Sequence, residues 1–282
     1  MNTSVFTGLR GDELSTNERK FILEALASGR REDGRSKNEY RGLRISPYPK
    51  YGTVEVQLGR TRVMANVSGE IIKPNNSSAN EGTIRFDTSY AASNGPPIYD
   101  TGRPHEESML LSRSLEKIFK RTRAIDTEGL CIITGEKVWQ IRVDIKILDH
   151  DGNLLDASCI AAISALMHYR RNDVTVHEAG IVIHSFEERH PLPLSIYHLP
   201  ICITFAVANN GNTVILDPTH SEEQVSQGTM TLVLNIHREV CTIEKSGGVA
   251  INTSSIFSCS QIASSKVVDI TQIIRAAVSN LV

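Results

Sequence analysis

The chain has 282 residues, 40% of them hydrophobic and 22% charged, which is a globular composition with room for one large or two modest domains. The formal net charge of -2 excludes a polycation that binds nucleic acid over its whole surface, so any such contact must come from a local basic patch or from partners that add to it. The first residues, Met1-Asn-Thr-Ser-Val5, have neither the basic nor the apolar segment of a secretory signal, and no apolar run is long enough to span a bilayer.

Five scattered cysteines, Cys131, Cys159, Cys202, Cys241 and Cys259, form no C-x-x-C pair, and the histidines show no H-E-x-x-H spacing. The expectation is an intracellular chain with reduced thiols, no metal site and no cofactor.

Ser15-Thr-Asn-Glu18 is a capping box, opening a helix whose apolar face is Phe21, Ile22, Leu23 and Leu26 and whose C′ residue is Gly29. Arg30-Arg-Glu-Asp-Gly-Arg35 reads locally as a charged, solvated turn around Asp33-Gly34. Alternation then predicts strands at Tyr51–Leu58, Thr61–Val67 and Thr83–Asp87, with a loop at Lys73–Asn80 and a Gly/Pro-rich connection through Gly95-Pro-Pro97.

After Pro104 the spacing of Leu111, Leu115, Ile118 and Thr122 predicts a core-facing helix. Arg113, Lys117, Lys120 and Arg121 lie on its other face. They read as a solvated face, with Glu116 placed to pair with Lys120, or as a basic grip. Further strands are expected at Leu130–Ile133 and Lys137–Leu148. A tight Asp151-Gly152-Asn153 turn then leads into a helix from Leu154 to Tyr169. Strand signals from Val174 to His184 and a Pro-punctuated connection come next. Four more strands follow, at Ile201–Val207, Thr213–Leu216, Thr229–Leu234 and Val240–Ile243. A last helix turns Val267, Ile270, Ile274 and Val278 inward. Strands in hairpin-like runs between long helices indicate an α+β fold, and the repeated strand-then-helix order indicates two similar halves.

The order of Arg31-Glu-Asp-Gly-Arg35, Leu58-Gly-Arg-Thr-Arg-Val63, the basic helix and Ile147–Asp156 resembles the RNase PH family of phosphorolytic exoribonucleases. Leu216-Asp-Pro-Thr-His-Ser-Glu-Glu223 and Cys241-Thr-Ile-Glu-Lys-Ser-Gly-Gly248 look like its branch of non-catalytic RNA exosome ring subunits. Gly135–Asp144 together with His150–Asp156 resembles the eukaryotic ring subunits of the polymyositis/scleroderma autoantigen type.

The resemblance implies the RNase PH fold (ribosomal protein S5 domain 2-like), with two pseudo-repeated βαβα halves in one compact body. Residues 1–30 would be an N-terminal capping helix, 31–190 the first half and 191–282 the second. It implies a six-membered ring of related subunits, cap subunits with RNA-binding domains, associated exoribonucleases and single-stranded RNA as partners, in nucleus, nucleolus and cytoplasm.

Active relatives hold phosphate with a Gly-Thr-Arg run where this chain has Asn153-Leu154-Leu155, so the arginine position falls on Leu155. The lost charge-assisted fork is worth about 1.5–3 kcal/mol. Asp156 would repel a phosphate about 4 Å away by about 4 kcal/mol at an effective dielectric of about 20, and it would itself satisfy the helix terminus. Asp217 matches the first member of an Asp-rich run of active members, and Glu223 stands where the later Asp would be. Locally they read as a turn and as half of a solvated Glu222-Glu223 pair. The resemblance therefore implies a non-enzyme, with an active phosphate-dependent 3'-5' exoribonuclease and a pure protein-binding module as alternatives. It places Arg113, Lys117 and Lys120, and less strongly Arg103, toward RNA.

Overall fold

The computed structural model describes residues 14–75, 78–91, 106–177 and 180–279. Arg103 and the Gly95-Pro-Pro97 connection lie outside them.

Helix α1 (Thr16–Ala27) starts at the reciprocal Ser15/Glu18 capping box and ends with Gly29 at a φ of +82°. The hairpin strands β1 (Leu43–Pro47), β2 (Thr53–Leu58) and β3 (Thr61–Ile72) follow, then β4 (Thr83–Tyr90) and helix α2 (Glu106–Thr122). Short β5 (Cys131–Ile133) precedes the long β6 (Lys137–Asp149), whose strict alternation buries Val143, Ile145 and Ile147 on one face. These strands form one sheet in the order β1-β2-β3-β6-β4, with β5 also on β6. Only the β4–β6 pair in it is parallel, and α2 lies between β4 and β6 in the chain, as a parallel crossover requires.

Helix α3 (Leu154–His168) comes next, then two-residue β7 (Arg170–Arg171), the hairpin β8 (Val174–His177) and β9 (Gly180–Ile183), and β10 (Leu192–Pro193), which pairs with β7. The second sheet is antiparallel, in the order β12-β11-β13-β14, from β11 (Ile201–Ala208), β12 (Thr213–Leu216), β13 (Gly228–Leu234) and β14 (Val240–Gly247). Helices α4 (His220–Val225) and α5 (Thr253–Ser279) complete the chain, and Val267, Ile270, Ile274 and Val278 are buried as their spacing predicts. On α2, Leu111, Leu115 and Ile118 are buried as expected, with Phe119 beside them, whereas Thr122 is only half-buried.

The core sits between the sheets and is organised by α3. This helix is apolar all round because it packs against β2 and β3 on one side and β11 and α5 on the other. Helix α1 packs its buried Ile22 and Leu26 onto Ala206, Ala208, Ile215 and Val225 of the second half.

The turn before α3 has Gly152 at a φ of +80°, facing the backbone ahead of α4. A Cβ there would fall 2.5 Å from His220 N and 2.7 Å from Pro218 O. Gly152→Ala therefore combines a left-handed strain with a backbone collision. It is expected to lower the unfolding free energy in urea by more than about 1 kcal/mol.

Candidate functional site

The β6–α3 turn is held by donors from distant segments. Arg41 donates to Asp151 O at 2.7 Å and to Gly152 O at 3.2 Å. The Thr61 hydroxyl donates to Gly152 O at 2.8 Å and accepts from Asp151 N. Asn153, at a φ of +56°, is the N-cap residue, but its side chain makes no capping bond. That side chain instead donates to Asp217 Oδ1 at 2.6 Å and Asp156 Oδ2 at 2.9 Å.

Asp217 is fully buried. It accepts from Arg41 N, Nε and Nη2 at 2.8–2.9 Å, from Arg35 Nη1 at 3.1 Å and from Asn153. Burial pushes its carboxyl up, but the hydrogen bonds and charge of Arg41, with the help of Asn153, outweigh that and hold it below the usual carboxylate range. Five protein donors thus converge on the Asp217 carboxylate. In the charged turn at Arg30–Arg35, Arg30, Glu32, Asp33 and Gly34 are exposed as expected, but Arg31 is not solvated. Arg31 is buried, forks onto Glu222 at 2.8 and 2.5 Å, and donates to the carbonyls of Leu216 and Asp217. Glu222, at 1% exposure, is therefore not half of a solvated pair.

Asp156 also departs from expectation. It points away from the helix terminus into the core, accepting from Thr204 N at 3.0 Å, Thr204 Oγ1 at 2.7 Å, Asn153 and the Tyr40 hydroxyl. Desolvation pushes its carboxyl up to about 7, although those donors oppose the rise. The carboxylate at the turn is Glu223, whose Oε1 accepts from Asn153 N at 2.7 Å. Burial raises it, too, to about 7.

Leu154 and Leu155 line a small cavity of about 240 Å³ with Glu107, Leu110, Leu111, Ser114, His150 and Glu223. This described lining holds no lysine or arginine. His150 is depressed by burial and by the neighbouring His220, so it supplies no dependable positive charge at neutral pH. A helix start that could receive an anion thus presents two leucines and a glutamate.

On α2, Arg113 is exposed and has no ion pair among the described residues. Lys117 is tied to Glu244 of β14 at 2.7 Å, and Lys120 to Glu116 at 2.5 Å, the pairing that its spacing predicts. Sequence reasoning passed over α4, although Thr219-x-x-Glu222 is a capping box with both reciprocal bonds formed. It also missed that α4 brings His220 and Glu223 beside His150, one ligand atom from each lying within 4.8 Å of the others. Spacing along the chain carries no sign of that meeting.

Removing one partner of a buried ion cluster leaves the others uncompensated, so Asp217→Ala is expected to cost about 3–5 kcal/mol in urea unfolding. The pH dependence has two signs. Asp156 and Glu223 are raised in the fold, so their contribution is complete below the unfolded carboxyl value of about 4 and is lost as pH rises through about 7. Asp217 is lowered, so its contribution is present above about 4 and lost as pH falls through its folded value. Stability is expected to decline between about pH 4.5 and pH 8, and Glu223→Gln to remove up to about 1.4 kcal/mol per pH unit of that slope.

Comparison with known proteins matches residues 23–172 to the family described as "3' exoribonuclease family, domain 1" and residues 198–266 to "3' exoribonuclease family, domain 2". The zebrafish Danio rerio protein named exosome complex component RRP45 is 43% identical over 272 residues, covering 96% of this chain and 69% of that protein. The Homo sapiens protein of that name is 43% identical over 267 residues, and this chain spans 61% of its length. The Schizosaccharomyces pombe protein is 42% identical over 270 residues, covering 94% of this chain and 91% of the relative. Among solved structures, an Archaeoglobus fulgidus exosome with RNA bound to the active site superposes with a TM-score of 0.77 at 28% identity, over 91% of this chain and 97% of that one. An archaeal exosome core gives 0.72 at 27% identity, over 93% and 96%. Both matched domains, in one α+β body with the RNase PH fold, identify the chain as a member of the 3' exoribonuclease (RNase PH) family.

Proposed function

We propose that this chain is a ring subunit of an RNA exosome, one that scaffolds the ring and guides single-stranded RNA without a phosphorolytic site of its own. The observation that carries the reading is chemical: at the helix start where active relatives are expected to grip phosphate, the side chains are Leu154, Leu155 and Glu223. Among the described residues, the cavity at that helix start offers a phosphate a carboxylate and no guanidinium, in a family whose reaction needs that anion held as nucleophile. The similarity to RRP45 proteins along nearly the whole chain supports the ring role.

The surface is consistent with assembly. Val240 and Ile243 are exposed on the edge strand β14, and Val176, Val182, Ile183 and Phe186 on or beside the β8–β9 hairpin. The partners are other RNase PH-like ring subunits, first as a heterodimer and then in a six-membered ring, with cap subunits bearing RNA-binding domains and associated exoribonucleases. The compartments are nucleus, nucleolus and cytoplasm.

Of the basic residues expected to face RNA, Arg113 is the best candidate, because Lys117 and Lys120 already have carboxylate partners. A second reading, a phosphate-dependent 3'-5' exoribonuclease, is favoured by one observation: Glu223 is held near pH 7, a value suited to a general acid.

Light scattering of this chain mixed with its cognate ring subunit is expected to give a stable heterodimer, and two persistent monomers would overturn the ring role. Incubating the chain with single-stranded RNA and inorganic phosphate is expected to release no nucleoside diphosphate. Release that disappears in Glu223→Gln would establish the second reading. In the assembled ring, Arg113→Glu is expected to reduce RNA crosslinking while leaving assembly intact, and to lower the salt slope of binding by about 0.7, the value of one single-strand phosphate contact.

A further inference from the structure

The turn that lacks a phosphate ligand brings together a different donor set. His150 comes from the end of the first half, while His220 and Glu223 stand three residues apart at the start and middle of α4 in the second half. One ligand atom from each lies within 4.8 Å of the others, and the two imidazole centroids are 4.8 Å apart.

His220 Nδ1 is shut away from solvent with no hydrogen-bond partner, and buried polar atoms in native proteins rarely go unsatisfied without an ion or water to explain them. The Glu107 carboxylate stands 4.0 Å from His150 Nε2 on the same cavity wall, adding negative charge and an oxygen placed to serve as a fourth ligand atom. The cavity between them gives an entry path.

We propose that His150, His220 and Glu223 bind a divalent transition-metal ion of the zinc class, which ties the β6–α3 turn of the first half to α4 of the second. Two imidazoles and one carboxylate are a zinc ligand set that leaves a position open. Metal–ligand bonds of about 2.0–2.2 Å put neighbouring tetrahedral ligand atoms about 3.4 Å apart, so the cluster, now within 4.8 Å, closes by up to about 1.4 Å through side-chain rotation.

Coordination has identifiable local costs. His220, ligating through Nδ1, carries its proton on Nε2 and needs an acceptor there. Gln224 now offers Nε2 at 2.8 Å, and turning its amide supplies the oxygen at the expense of a 3.3 Å bond from Leu14 N. His150, ligating through Nε2, gives up its 3.2 Å bond from Gly152 N. Glu223 gives up or shares the bond from Asn153 N. Both imidazoles must be neutral to ligate, and burial with the nearby His220 already favours that form of His150.

The test is a titration of the full-length, metal-stripped chain with Co(II), followed by its visible d–d absorption, and with Zn(II) in competition with a chromophoric chelator. The expected result is one equivalent of either metal, together with a rise in the urea midpoint when Zn(II) is present. His220→Ala and Glu223→Gln are each expected to weaken binding by at least the roughly 10–100-fold that even an outer-shell loss costs, while Asp269→Asn, exposed on α5, leaves it unchanged. Glu223→Gln preserves the shape and an acceptor for Asn153 N, so it decides the matter if His220→Ala fails to fold. The proposal is overturned by an absence of uptake, by a thiolate charge-transfer band placing the metal on cysteines, or by equal binding in wild type and Glu223→Gln.

Discussion

The buried carboxylate of Asp217 is the interaction on which the rest of the site depends. It gathers Arg35 and Arg41 from the segment after α1 and Asn153 from the start of α3, and it stands on the backbone that joins β12 to α4. Asp217 itself sits at a φ of +50°, an unfavourable conformation for a non-glycine residue that only strong surrounding contacts sustain. Arg31 reinforces the same backbone by donating to the carbonyls of Leu216 and Asp217 while forking onto Glu222. Ions taken out of water are costly, and their mutual attraction offsets that cost only when the geometry satisfies every group. Here Arg35, Arg41 and Asn153 together satisfy the carboxylate.

That fixed frame also holds the turn that leads into α3. The turn carbonyls are held by Arg41 and Thr61, and the Asn153 amide by Glu223, so the protein's own groups order the helix start. Leu154 and Leu155 line the adjoining cavity with apolar surface. The two raised carboxyls, Asp156 and Glu223, serve different ends despite similar values. Asp156 links α3 to β11 from within the core, whereas Glu223 borders an accessible cavity.

The elements were largely legible in the sequence because they follow local rules. The Ser15/Glu18 box, the alternation of β6 and the inward stripe of α5 each depend on residues within a few positions of one another. What escaped is long-range. Arg31, Arg35 and Arg41 are charged residues in a turn-rich stretch, and nothing nearby distinguishes a solvated arginine from one that will meet a carboxylate more than 170 positions away. Asp156 was read from its place in the first helical turn, but its side chain takes the core side because Thr204 and Tyr40 wait there. Helix α4 escaped although its capping box was visible, since six residues give too little periodicity to draw attention.

The packing of α1 and α3 has a consequence for synthesis. Helix α1 has Ile22 and Leu26 as its buried apolar contacts, and their partners, Ala206, Ala208, Ile215 and Val225, stand at least 180 positions later in the chain. Helix α3 is covered on one side by strands already made and on the other by strands still to come. Contacts so distant in sequence close slowly, so a nascent chain carries both helices with apolar side chains partly uncovered until β11 and β12 are made, the state in which chaperones hold a polypeptide.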